Sequence, residues 1–100
     1  MSNEGTVAFW LKHEHDDWAT NDNSYNFGRF QKDELSISAL KHPDRTIELE
    51  TSGPFGQFNF RHPIPECDER GLFVAITWRD SEITLYFNGQ LVDTASDSLV

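Results

Sequence analysis

The stretch KHEHDDW, residues 12–18, holds the densest group of titratable side chains in the sequence. On an extended segment His13, His15 and Asp17 point to one side, and imidazole together with carboxylate suits zinc, nickel or copper. The aspartate and asparagine oxygens nearby are the ligands that calcium prefers. The spacing matches no defined zinc or EF-hand pattern, so a solvated polar loop is the competing interpretation. The cofactor that the sequence suggests is Ca²⁺ or another divalent cation. The candidate metal ligands are His13, His15 and Asp17, and the oxygens suited to calcium come from Asp16, Asp17, Asn21, Asp22 and Asn23.

Trp18 lies among acidic and amide side chains, which makes its ring a candidate platform for a sugar. A sugar-binding site commonly stacks an aromatic ring on the apolar face of the sugar and offers polar side chains to the hydroxyls. Asp16, Asp17 and Asn21 would supply those polar groups, and Tyr86 is a further candidate on a sheet face. The alternative is that Trp18 folds back into the core.

The carboxylates of Glu14 and Asp16 are two positions apart and so share a face of an extended segment. Retaining glycoside hydrolysis needs two carboxyl groups about 5 Å apart across the scissile bond. A chain of 100 residues, however, leaves little room for a deep substrate cleft. The sequence also contains no Gly-x-Ser-x-Gly elbow, P-loop or Gly-rich dinucleotide loop. We therefore expect a protein that is not an enzyme.

The acidic balance of the sequence bears on its partners. The 17 acidic and 8 basic residues give a formal net charge of -9. Nucleic acids and anionic membrane surfaces both attract basic proteins, so neither is an expected partner. No stretch approaches membrane-spanning length, and no early segment has the pattern of a signal peptide. We expect a cytoplasmic location, or an extracellular one if the chain is an excised module.

Short alternating apolar runs, separated by Gly, Pro, Asn and Asp, predict an all-β protein. The hydrophobic fraction of 37% is that of a globular chain, and the length predicts a single domain over residues 1–100. The predicted strands are Thr6–Lys12, Tyr25–Phe30, Leu35–Lys41, Thr46–Thr51, Gln57–His62, Leu72–Arg79, Glu82–Phe87 and Gln90–Thr94.

Two turn signals, Asp80-Ser81 and Asn88-Gly89, set the register of the last three strands. Asn-Gly is the preferred two-residue hairpin turn because both central positions need a positive φ. The turns predict the pairs Arg79–Glu82, Trp78–Ile83, Ile76–Leu85, Val74–Phe87, Phe87–Gln90, Tyr86–Leu91 and Leu85–Val92. Directly opposite residues share a face, and one face is then entirely apolar: Val74, Ile76, Trp78, Ile83, Leu85, Phe87 and Val92. A second sheet must cover it, which predicts an antiparallel β-sandwich of about eight strands.

The segment GLFVAITWRDSEITLYFNGQLVDTA, residues 71–95, resembles the closing strands of concanavalin A-like, laminin-G-like jelly-roll domains. Those domains typically show an aliphatic-Thr-Trp strand, a turn, an aliphatic-x-Leu-Tyr-x-Asn-Gly strand and an aliphatic return. The segment GTVAFWLK, residues 5–12, is similar to their early strand. The resemblance implies a jelly-roll β-sandwich and no single function, since the family includes sugar binders, protein binders, glycoside hydrolases and structural modules.

The chain departs from that family in two respects. Sandwich-type glucanases use a Glu-x-Asp-x-x-Glu or Glu-x-Asp-x-Glu run, whereas Trp18 and Ala19 stand where the third carboxylate would follow Asp16. Family members are also much longer, and a short version would leave sheet edges unprotected, which oligomerisation can remedy. We expect a non-enzymatic recognition module that binds a glycan or a protein partner through end loops or a sheet face. The alternative is a structural module that self-associates, as a homodimer for example.

Overall fold

The computed structural model describes residues 4–14, 17–53, 56–67 and 69–96, which form two packed antiparallel sheets. The strands are β1 (Glu4–Leu11), β2 (Tyr25–Lys32), β3 (Leu35–Lys41), β4 (Thr46–Gly53), β5 (Gly56–Pro63), β6 (Leu72–Arg79), β7 (Glu82–Phe87) and β8 (Gln90–Ser96). Each predicted strand is present, with ends that differ by two residues or fewer. The predicted all-β sandwich is confirmed. No helix in the described ranges is long and apolar enough to cross a membrane.

The strand order places the first strand and the last three in one layer. Sheet A has the order β1-β6-β7-β8, and sheet B has the order β2-β3-β4-β5. The core between them consists of Leu11, Trp18, Ile37, Ala39, Ile47, Leu49, Phe60, Leu72, Val74, Ile76, Ile83, Leu85 and Phe87. Burying side chains of this size contributes roughly 1.5–3 kcal/mol each before conformational entropy is subtracted. This shared core is what holds the two sheets face to face.

The predicted hairpins of sheet A are confirmed. Strands β6 and β7 pair from Arg79–Glu82 to Val74–Phe87. At the second turn Asn88 has φ 52° and Gly89 has φ 82°, the two positive values that this turn requires. The inward residues of β6 and β7 form the predicted apolar face, with Trp78 half-buried at its end.

The predicted pair Leu85–Val92 is wrong. Tyr86 pairs with Leu91 as predicted, but Leu85 pairs with Asp93, so Val92 is an extra residue in a β-bulge. Val92 still packs against the core as a half-buried side chain. The extra residue shifts the alternation of β8 and brings the Asp93 carboxylate 2.8 Å from His62 Nε2 on β5. This contact joins the last strand of sheet A to the last strand of sheet B.

Gly5 makes room for the ring of Trp78. The two residues are directly opposite in the β1–β6 ladder. A Cβ at position 5 would lie 2.5 Å from Trp78 Cζ2, too close for any side chain. The glycine therefore lets the indole cover the end of the apolar face.

Candidate functional site

The loop between β1 and β2 does not present Trp18 to solvent. The Asp17 carbonyl accepts hydrogen bonds from the Thr20 and Asn21 amides, at 3.0 and 2.9 Å, which closes a tight turn. Trp18 in this turn is only 4% exposed and packs edge-on against Phe27, with ring centroids 5.3 Å apart. The expectation of an exposed stacking ring is therefore wrong, and the alternative, that Trp18 folds into the core, is confirmed. The hydrophobic gain from burying the indole outweighs the polar character of its neighbours in sequence.

The Asn21 side chain is used within the fold. Its Oδ1 accepts a hydrogen bond from Lys41 Nζ at 3.0 Å, and its amide donates to the Tyr25 hydroxyl at 2.6 Å. Lys41 Nζ also donates to the main-chain oxygens of Asn21 and Asn23. Because Lys41 is completely buried, these contacts form a structural anchor for the loop.

Only part of the predicted cation site can be placed. His15 and Asp16 lie outside the described residues. The His13 ring contacts the Tyr25 ring, with centroids 4.0 Å apart and planes tilted by 35°. The exposed Asp17 accepts a hydrogen bond from the Asn21 side-chain amide. Within the described ranges, no group of three His, Cys, Asp or Glu side chains could hold a metal ion. The cation site, which needs His15, stays a prediction.

One exposed aromatic surface lies on the outer face of sheet A, while Phe30, 47% exposed, lies on edge strand β2 of sheet B. Trp10 is 48% exposed, contacts Phe73 at a centroid distance of 4.8 Å and has the Arg70 guanidinium 5.2 Å from its ring centre. The predicted site residue Tyr86 is half-buried on the same face, opposite Leu91. Trp18 and Tyr86 therefore lie in different layers of the molecule, one in the core and the other on an outer surface.

The outer face of sheet B is almost entirely polar. Three rows of four residues cross it from β2 to β5: Gln31–Ser36–Ser52–Gln57, Arg29–Ser38–Glu50–Asn59 and Asn26–Leu40–Glu48–Arg61. Leu40 is the one apolar residue among these twelve. We call this surface the polar face.

The distribution of side-chain lengths makes the polar face a groove. The two edge strands carry long side chains, whereas three of the six central-strand positions carry serine, at Ser36, Ser38 and Ser52; the other three are Leu40, Glu48 and Glu50. Edge strands in a four-stranded sheet are about 14 Å apart, so the groove runs along the strands with a serine floor. Its volume is about 550 Å³. A neighbouring concavity of about 330 Å³ shares Arg29, Ser38 and Glu50 with it, so the two adjoin on the polar face.

One end of the groove is held by internal polar contacts. Glu48 accepts hydrogen bonds from the Asn59 amide at 2.7 Å and from His42 Nε2 at 2.5 Å. These bonds, that from Asn59 foremost, hold the pKa of the Glu48 carboxyl below its usual value. A general acid would need the opposite shift, so Glu48 is suited to accept hydrogen bonds and not to donate a proton.

Arg61, at the same end, is tied to the β3–β4 turn. It donates to Asp44 Oδ2 at 2.9 Å and to Thr46 Oγ1 at 3.0 Å. The Thr46 hydroxyl, followed by Arg61, holds the pKa of Asp44 below its usual value. The Arg61 guanidinium is therefore already paired with Asp44. The polar groups available to a ligand lie in the middle of the groove.

The middle row of the groove combines a free acceptor with several donors. Glu50 is exposed, and no described side chain donates a hydrogen bond to its carboxylate. Arg29 lies two strands away and donates to Ser38 at 3.2 Å. Asn59, on edge strand β5, lies opposite Glu50 and ends the row on that side with an amide group. This row can both donate and accept hydrogen bonds over the full width of the sheet.

No family model matches the chain, and no curated protein or solved structure is significantly similar to it. The resemblance to laminin-G-like domains accordingly stays a prediction. The sheet topology and the groove are therefore the basis for assigning a function.

The sequence contains a pattern that indicates the groove and that the predicted site residues did not include. Polar residues alternate with core residues at Ser36 and Ser38, at Glu48 and Glu50, and at Gln57, Asn59 and Arg61. Alternation of this kind places each set on one face of its strand. That the three sets form one continuous surface follows only from the strand order.

Proposed function

We propose that the protein is a non-enzymatic recognition module that binds an extended oligosaccharide in the groove of the polar face. The observation that carries this proposal is the groove itself, which combines a floor of serine hydroxyls with amide and guanidinium walls. Its length along the strands suits a chain of sugar residues better than a compact ligand. Glu50, in the middle of the floor, is the principal acceptor.

The chemistry of the groove favours a sugar over a protein partner. Sugar hydroxyls both donate and accept hydrogen bonds, as do serine, asparagine and glutamine side chains. Protein interfaces depend on apolar and aromatic anchors at their centre. The three rows offer Leu40 alone as an apolar side chain. A hydroxyl-rich ligand satisfies this surface, whereas a protein patch would bury many of its polar groups without a partner.

The same composition predicts weak and charge-selective binding. A net hydrogen bond contributes only about 0.5–1.5 kcal/mol, and none of the twelve residues in the rows is aromatic, although the half-buried Phe58 borders the groove. We expect dissociation constants of about 0.1–1 mM. Because Glu48 and Glu50 both lie on the face of a chain with a net charge of -9, neutral oligosaccharides are expected to bind better than uronic or sulfated ones.

The direct test is titration with a set of soluble oligosaccharides, followed by amide chemical shifts. Neutral hexose and pentose oligomers are compared with uronic acid oligomers of the same length. We expect shifts along β3 and β4 and a loss of binding of at least fivefold in Glu50→Ala and Gln57→Ala. Thr84→Ala is the matched control, since Thr84 lies on the outer face of sheet A. Absence of binding throughout the set, or equal loss in the control, would contradict the proposal.

Calcium provides a separate test of the predicted cation site. Of the predicted cation ligands that the structure describes, neither His13 nor Asp17 lines the groove. Titration with and without added calcium is therefore expected to give the same affinity for the oligosaccharide. A strict requirement for calcium would move the binding site to the β1–β2 loop.

A further inference from the structure

The four edge strands of the sandwich differ in how they are protected against pairing with another strand. Exposed edges are commonly blunted by bulges, prolines, inward-pointing charges or coverage by another element. Strand β2 has a bulge between Asn26 and Gly28, and β8 has the bulge at Val92. Strand β5 ends at Pro63 and contacts β8 through His62. Three of the four edges thus carry a device that discourages strand addition.

Strand β1 carries none of these devices. Its register with β6 runs without a shift over eight residues, from Glu4–Arg79 to Leu11–Leu72. Within the described ranges β6 is its one paired neighbour. Its inward side chains are uncharged, and β1 contains no proline. Its free edge is therefore a straight, regular template for a further strand.

The sequence of β1 suits pairing with a second copy of itself. Two copies of β1 that pair antiparallel are related by a two-fold axis perpendicular to the sheet. Directly opposite residues share a face only if one residue lies opposite its own copy at this axis. With the axis at Ala8, Glu4 of each copy lies opposite Lys12 of the other. Thr6 lies opposite Trp10, and neither position brings like charges together. The alternative axis, at Val7, places Glu4 opposite Trp10 and leaves Lys12 without an opposite residue in the strand.

The charges at the ends of this pairing are complementary. Glu4 is exposed and lies 3.8 Å from Arg79 of its own sheet. In the pairing centred on Ala8, its carboxylate would lie between that guanidinium and the second copy's Lys12. Lys12, directly after β1, is also exposed. Both ends of the pair gain an opposite-charge contact, because the two-fold axis repeats it.

We propose that two copies of the chain join through their β1 edges, in antiparallel register about Ala8, into one continuous eight-stranded sheet. The inference is independent of the proposed glycan groove, which lies on sheet B. An interface made by one strand from each copy is small, and interfaces below about 1,200 Å² are weak. The dimer accordingly forms at high micromolar concentration and exchanges rapidly.

A charge exchange tests the proposed pairing. Sedimentation equilibrium of the whole chain from about 10 µM to 1 mM measures the dimerisation constant. Lys12→Glu and Glu4→Lys each place like charges at both ends of the pair, which raises the dissociation constant about tenfold. The double variant Glu4→Lys/Lys12→Glu restores most of the affinity, since the lysine at position 4 then faces a glutamate of the second copy but lies beside Arg79 of its own sheet. A chain that stays monomeric at 1 mM overturns the proposal and leaves the edge for a strand of another protein.

A cysteine cross-link tests the register. In a Cys67→Ser background, Ala8→Cys places two thiols opposite each other at the axis, where Cβ atoms of directly opposite residues are about 4.5–5.5 Å apart. Mild oxidation is expected to give a covalent dimer. Thr6→Cys is the matched control, because residue 6 faces the second copy's Trp10 and not itself. Equal cross-linking at both positions, or none at position 8 in a dimeric sample, overturns the register.

Discussion

Lys41 Nζ donates a hydrogen bond over 2.5 Å to the main-chain oxygen of Asn21, a residue 20 positions earlier in the chain. Two further bonds run from the same ammonium group to Asn21 Oδ1 and to the Asn23 main-chain oxygen. An ammonium group has three donors, and here all three have acceptors. These contacts offset the cost of burying the charge and fix the β1–β2 loop to sheet B.

Lys41→Met is expected to lower the free energy of unfolding by about 3 kcal/mol. The substitution keeps the apolar stem but leaves three oxygen acceptors without their donor. Urea unfolding followed by circular dichroism measures the change. Lys32→Met, at an exposed strand end, is the matched control and is expected to change stability by less than about 0.5 kcal/mol. Equal stability of both variants would show that the anchor is dispensable.

Trp18→Ala and Trp10→Ala are expected to differ sharply in stability. Loss of a buried Trp ring costs about 3–5 kcal/mol. Trp10 is half exposed, so its loss is expected to cost about 1 kcal/mol. Thermal unfolding of both variants measures the difference, and Trp18→Phe serves if Trp18→Ala fails to fold. A folded, stable Trp18→Ala protein that has lost oligosaccharide binding would reinstate the β1–β2 loop as the site.

The hydrogen bonds to Glu48 predict a specific acid sensitivity. Because they lower the pKa of this carboxyl in the folded state, its ionised form stabilises the fold. That contribution is fully present above the usual glutamate pKa of about 4.3. It is lost as the pH falls through the lowered folded-state value.

Removal of the Asn59 amide, the donor that lowers the pKa of Glu48 most, checks this sensitivity. Unfolding by urea at several pH values between about 6 and 2.5 is expected to show a shallower acid loss in Asn59→Ala than in the wild-type protein. Gln57→Ala, on the same strand and face as Asn59, removes no titratable group and is the control that keeps the wild-type slope. An unchanged slope in Asn59→Ala would rule out this contribution.

The contact between His62 and Asp93 is expected to couple the two sheets. Asp93→Ala removes a 2.8 Å hydrogen bond between β5 and β8 and is expected to cost about 1 kcal/mol. The same substitution in a His62→Ala background is expected to cost much less, since the partner is already absent. A double-mutant cycle of unfolding free energies measures this coupling. Additive effects of the two substitutions would show that the contact contributes nothing.

Local turn chemistry made much of sheet A predictable, whereas its bulge depends on a distant contact. Asn88-Gly89 specifies its own backbone conformation, so the register on either side of it followed directly. The position of Asp93 depends on His62, 31 positions earlier, and on the extra residue Val92. No short-range pattern in β8 marks that extra residue. The predicted pairing with Leu85 failed for this reason.

The candidate site was less predictable than the fold because it depends on strand order. The polar neighbours of Trp18 suggested a surface ring, but its burial is decided by Phe27 and the other core residues. The groove has serine at half of its central-strand positions and long side chains on its edge strands. Ser38 and Gln57 acquire those roles only when β3 is central and β5 is an edge. Alternation predicts the face of each residue, and the topology then assigns its position across the sheet.

The free edge of β1 is in sheet A, whereas the groove is on sheet B. Dimerisation through β1 therefore leaves both grooves open to a ligand. When two copies of sheet A join edge to edge, the two-fold axis that relates the copies is perpendicular to the joined sheet. Both copies of sheet B therefore lie on the same side of the joined sheet. The two grooves would then open in the same direction. A polysaccharide surface would meet two tethered sites at once, and such bivalency raises apparent affinity by about 10²–10⁴. A pair of individually weak grooves would thereby hold a repetitive matrix more tightly than either groove holds a free oligosaccharide.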